Sequence, residues 1–166
     1  MSLIRLVIAA LVGVGLAALG NQLCSRPYRC SVLAKEVRSE TLHALEIADT
    51  PSGKLLARSN LERLSVCSGA SLLQGDHYMI VAVNRRILGR FDEAIEGYEL
   101  ALGRDRRPEI YFQIGLTELE RGNRDAALRN LTLAASFSRS YLDSIPTELR
   151  DQVESAVKVA TAKSHG

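Results

Sequence analysis

Residues 75–107, GDHYMIVAVNRRILGRFDEAIEGYELALGRDRR, and residues 108–140, PEIYFQIGLTELERGNRDAALRNLTLAASFSRS, decide how this chain folds. At an offset of 33, Tyr78 meets Tyr111, Ala82 meets Gly115 and Gly89 meets Gly122. Further along, Ala94 meets Ala127, Tyr98 meets Leu131 and Ala101 meets Ala134. A fixed period in this range is the mark of a helical solenoid. Each unit holds two amphipathic stretches with apolar residues at helical spacing, in the first unit Tyr78, Val81, Ala82 and Ile87, then Phe91, Ala94, Ile95, Tyr98 and Ala101. Gly89, Gly103 and Gly122 stand where the stretches end, at positions suited to a left-handed C′ residue. Pro108 stands where the next stretch begins, a place that needs no backbone donor. Small residues alternate with large ones along these stretches, which predicts close helix contacts. Seven of the eight aromatic residues lie between positions 78 and 141, so the core is expected there.

The pattern resembles the tetratricopeptide repeat (TPR). That family shows an aromatic residue, a small residue four later, a glycine at the turn, then Ala, an aromatic or Leu, and Ala along a second helix. Tyr78, Ala82, Gly89, Phe91, Ala94, Tyr98 and Ala101 match in the first unit, and Tyr111, Gly115, Gly122, Ala127, Leu131 and Ala134 in the second. Arg124 departs from the aromatic that Phe91 supplies, and the period of 33 is one short of the family's usual spacing. The resemblance implies an all-α, TPR-like solenoid of helical hairpins that works as a protein-interaction scaffold.

Two units rarely stand alone, because each buries its apolar face on a neighbour. Residues 31–48 read as one amphipathic helix and 54–67 as another, with Pro51-Ser52-Gly53 between them. Ala57 and Leu61 echo Ala127 and Leu131, which marks a degenerate third repeat. Residues 147–162 place Leu149, Val153, Ala156, Val157 and Ala160 on one stripe behind Pro146, and read as a capping helix. The chain thus divides into an N-terminal hydrophobic helix over 1–23, a helical region over 24–74, two repeats over 75–141, and a cap and tail over 142–166.

Residues 6–20, LVIAALVGVGLAALG, carry no polar side chain and follow Arg5, the layout of a secretory signal peptide. Ala18 and Gly20 are small enough for cleavage after Gly20. Fifteen helical residues span about 22 Å, short of the ~30 Å hydrocarbon core, so an uncleaved anchor would recruit Ile4 and residues 21–23. Arg26, Arg29, Lys35 and Arg38 follow the segment, and the positive-inside rule then puts the body in the cytoplasm. The signal-peptide layout puts it outside, in the periplasm or cell envelope. The complete layout favours export, and Cys24 and Cys30, which flank Pro27, are the expected disulfide in an oxidising compartment, leaving Cys67 free.

Composition narrows the function classes. Over 166 residues, 21 Lys+Arg stand against 19 Asp+Glu, a net charge of +2 that argues against a nucleic-acid partner. The Cys and His residues have neither zinc nor haem spacing, so no metal and no cofactor is expected. No phosphate loop, nucleophile–base set or small-molecule site appears in the sequence. The reading is a non-catalytic scaffold, bound to the membrane through its N-terminus, that docks a protein, peptide or helix or helps assemble a membrane complex; the alternative is an accessory subunit of an envelope enzyme or transport system. In the family it resembles, the first helix of each unit lines a concave groove. Carried over, that places Met79, Val83 and Arg86, then Phe112, Leu116 and Leu119, in the partner groove. Val83 and Leu116 stand where the carboxylate-clamping subclass has Asn, so the resemblance implies an apolar groove instead. Such a groove is filled by the chain's own helix 31–48, by a partner helix, or by both in part.

Overall fold

A computed structural model describes residues 28–67 and 75–163. The apolar segment 6–20, its cleavage position and Cys24 lie outside the described residues. The described chain is built of helices: α1 over 28–46, α2 Pro51–Ser65, α3 Gly75–Ile87, α4 Phe91–Leu102, α5 Pro108–Glu120, α6 Arg124–Phe137, a 3-10 turn Arg139–Ser144, and α7 Thr147–Lys163. They pair as three helical hairpins, α1–α2, α3–α4 and α5–α6, with α7 closing the last.

The helix ends follow local chemistry. Thr50 caps α2 by accepting from the Gly53 amide at 3.1 Å, and Asn123 caps α6 by accepting from the Ala126 amide at 3.4 Å. Pro51 and Pro108 open α2 and α5, where no amide donor is required. Pro51 therefore starts a helix that runs through Gly53, rather than a spacer lasting to residue 53. Gly89 and Gly122 take φ of +73° and +88°, the left-handed turns expected of them. Gly103 does not. Its φ is −65°, because the α4 end bonds in αR geometry through Gly103 N–H to Glu99 O.

α1 and α2 form a further helical hairpin, with α2 packed on α3. Its antiparallel register is visible from end to end: Ala44 joins Ala57 in one cluster, Thr41 meets Asn60, Val37 meets Leu64, and Cys30 meets Cys67. Ala57 is wholly buried like Ala94 and Ala127. Leu61 is only half-buried and Leu64, one turn on, fills the interior in its place. Asn60, on the same stripe as Ala57 and Leu64, is buried as well.

Small residues set the distance between helices. A Cβ on Gly97 would lie 3.0 Å from the Ala82 Cβ, and one on Gly115 would lie 2.6 Å from Leu131 Cγ. Ala82, Ala94, Ala101, Ala127 and Ala134 have no exposed surface. One core gathers Tyr98, Ile110, Ile114 and Val83 around Ala82, Ala94 and Ala101, and a second packs Leu149, Val153 and Val157 of α7 with Ala127, Leu131 and Ala134 of α6. Replacing Ala94 or Ala127 with Leu inserts extra carbons into a closed contact, and each change is expected to cost about 1–3 kcal/mol by overpacking. Thermal melts of the two variants, each with a transition well below that of the parent chain, would check this; unchanged melts would refute the assigned register.

Candidate functional site

The six residues assigned to the partner groove do not share one open surface. Met79 and Val83 are buried in the core shared by α1, α3, α4 and α5, with Ala44 of α1 packed into the same cluster. Phe112 is buried in the second core, its ring centroid 5.0 Å from that of Tyr141 in the 3-10 turn. The turn lacks strong helical periodicity in the sequence, which is why its cover over Phe112 was not legible there. Leu116 and Leu119 are half-buried against the same cluster. Arg86 alone among the six presents a charged group, and even its side chain is only 10% exposed.

Arg86 ties the second hairpin to the third. Its Nε donates to Glu120 Oε2 at 3.0 Å, Nη2 donates to Glu120 Oε1 at 2.5 Å, and Nη1 donates to Gln113 Oε1 at 2.8 Å. Burial opposes the charge on Arg86, and the two-point bond to Glu120 outweighs it, so the guanidinium pKa is raised. A fully used guanidinium fork is a fixed wall rather than a free hook. The neighbouring Tyr98 phenol is buried, and desolvation raises its pKa well above the ordinary range.

Beside this wall lies a cleft of about 540 Å³ between the end of the first hairpin and the α3–α4 turn. Leu45, Ala48, Leu88 and Phe91 give it an apolar floor, and Asp49, Lys54, Arg86 and Glu120 a charged rim. A second recess of about 590 Å³ lies across Leu88, lined by Arg58, Leu61, Glu62 and Arg90. Gly89, in its left-handed conformation, borders the first cleft, and a Cβ there would meet nothing within 4 Å. The sequence signalled the turn glycine. The cleft needs residues from α1, α2, α3, α4 and α5 together, which no linear pattern announces.

The cysteines pair differently from the sequence expectation. Cys30 is bonded to Cys67, with Cα atoms 5.6 Å apart, instead of to Cys24. The reason is the hairpin register, which carries residue 30 at the start of α1 to the end of α2. Both cysteines are buried. Among the described residues, no group of His, Cys, Asp and Glu is placed to hold a metal ion, and no helix is long and apolar enough to cross a membrane.

No protein-family model matches the chain, and no curated protein matches it by sequence. Among solved structures it is similar to the one titled crystal structure of MamA, with a TM-score of 0.54 and 16% identity over 82% of this chain and 86% of that one. The fold is TPR-like. At that identity the likeness speaks for the arrangement of helices alone.

Two measurements follow. Alkylation of denatured, unreduced protein isolated from its host is expected to label Cys24 and spare Cys30 and Cys67; labelling of all three would mean that the bridge is absent in the cell. The second concerns His77, buried on α3 with Nδ1 unbonded. Desolvation lowers its pKa below the ordinary value of about 6.5. The unfolded chain then binds a proton more readily than the folded one, so stability is complete above about 6.5 and falls as pH drops below it. Denaturant midpoints between neutral and mildly acidic pH should show this slope in the parent chain and a flatter one in His77→Gln. Equal slopes would assign the acid sensitivity to other groups.

Proposed function

We propose that this protein is a non-catalytic interaction scaffold, held at or beyond a membrane by its N-terminal segment, that docks a peptide or helix of another protein. The observation that carries the reading is the cleft between the first hairpin and the α3–α4 turn, an apolar floor with charges of both signs on its rim. A mixed lining of this kind suits an amphipathic segment, whose apolar side chains reach the floor while its polar groups meet the rim. The TPR-like fold adds to it, since stacked hairpins offer extended surfaces rather than an enclosed pocket. Of the six groove residues, Arg86 is the one that lines this cleft, as part of its fixed wall.

The Cys30–Cys67 bridge supports export, because disulfides persist in oxidising compartments and are rare in the cytosol. It agrees with the signal-like layout of residues 6–20 and weighs against the orientation favoured by the Lys and Arg count. A role as accessory subunit of an envelope enzyme or transport system differs only in the partner that the same surface would hold.

The test fills the cleft without opening the core. Ala48 lies in the α1–α2 turn, half-buried on the cleft floor. Ala48→Arg is expected to remove a stoichiometric partner that co-purifies with the full-length chain from its host, while the melting transition stays in place. Undiminished partner recovery with Ala48→Arg refutes the docking cleft, and turnover of a substrate by the isolated chain refutes the scaffold. Phe112 is unsuitable for this purpose, since its replacement would disrupt the core.

A further inference from the structure

The 33-residue period also places α4 and α6 in equivalent, parallel positions, and their outer ridges are unlike in charge. Along α4 and its end the ridge reads Glu96, Leu100, Arg104; along α6 the same positions read Arg129, Leu133, Phe137. All six are exposed, with Leu100 at 49%, Leu133 at 45% and Phe137 at 63%. The Phe137 ring is held in place by stacking on Tyr111, centroids 6.1 Å apart and planes 16° from parallel. Many charges elsewhere on this surface are paired within the chain, as in Arg63–Glu40, Arg121–Asp92 and Arg107–Asp76. Glu96, Arg104 and Arg129 make no ion pair or side-chain hydrogen bond among the described residues.

We infer that this face binds a second copy of the chain, about a two-fold axis running parallel to α4 and α6. Such an axis keeps helix direction and level while exchanging the two ridges, so α4 of one copy faces α6 of the other. Equivalent positions then meet: Glu96 opposes Arg129, Leu100 opposes Leu133, and Arg104 lies over the Phe137 ring. Each pairing occurs twice, as an isologous contact requires. The first is a salt bridge, the second an apolar contact, and the third places a cation on an aromatic face. The contact is confined to two helices of each copy, so a reversible, concentration-dependent dimer is expected. None of these residues lines the proposed docking cleft, and the inference stands whether or not that cleft binds a partner.

Sedimentation equilibrium of the full-length chain, in a detergent that keeps its N-terminal segment dispersed, tests the arrangement. The parent chain is expected to dimerise. Glu96→Arg and Arg129→Glu each set like charges against one another in both symmetry-related pairs, and each is expected to weaken the dimer at least about tenfold. The double variant Glu96→Arg/Arg129→Glu restores the pairing and should recover the dimer. Leu133→Lys, at an exposed position, removes the apolar pair and should also weaken it. A monomeric parent chain overturns the inference. So does a dimer indifferent to the charge substitutions, which would be held by the N-terminal segment, and so does a double variant as weak as the single ones.

Discussion

The close approach of neighbouring helix backbones governs the whole molecule. A methyl group added at Gly53 would fall 2.2 Å from the Ile47 carbonyl oxygen, and one at Gly115 would strike Leu131. Contacts this tight leave no room for water and make alanine, rather than leucine, the residue at the crossing points. Large side chains are displaced to the sides, where Tyr98, Ile110, Leu131 and Leu149 interlock with no exposed surface. The solenoid is consequently compact on its inner side. Met79, Val83 and Phe112, which a looser stack would present to a partner, become core.

Apolar packing does not by itself fix how one hairpin is set against the next, because alanine-lined surfaces slide easily. Polar groups supply the registration. Asn84 of α3 donates to Thr41 of α1 at 2.8 Å, and Asn60 of α2 donates to Asn84 Oδ1 at 3.2 Å, all three residues lying out of solvent. A one-turn slip would leave these amides unbonded in the interior, at a cost of about 1–3 kcal/mol for each group. Between the second and third hairpins the Arg86–Glu120 fork has the same effect, and Asp76 bridges further by pairing with Arg107 at 2.5 Å and lying 3.8 Å from Arg38. The partly exposed Asp76 pairs contribute little free energy individually. Their value is directional.

This arrangement bears on function through what it leaves open. With the inner face filled by the chain itself, the surfaces left open are the ends of the hairpins around Leu88 and the outer ridges of α4 and α6. The disulfide acts at the opposite end of the first hairpin, joining the start of α1 to the end of α2 across 37 residues. It ties the two ends of this hairpin together and so holds them against fraying.

The period of 33, the turn glycines at 89 and 122, the helix-opening proline at 108 and the capping stripe of α7 are local or periodic features, and the sequence alone was enough to read the TPR-like hairpins and their order from them. Local rules also misled in places. Gly103 resembled a left-handed cap, yet α4 ends in αR geometry, and Cys24 resembled the partner of Cys30 because it is near in sequence. The disulfide, the Thr41–Asn60–Asn84 contact, the burial of Phe112 beneath Tyr141 and the cleft around Leu88 were decided only by the tertiary structure. Each depends on side chains far apart in sequence being brought together by helix crossing distances, and those distances follow from packing between helices rather than from the residues along any one of them.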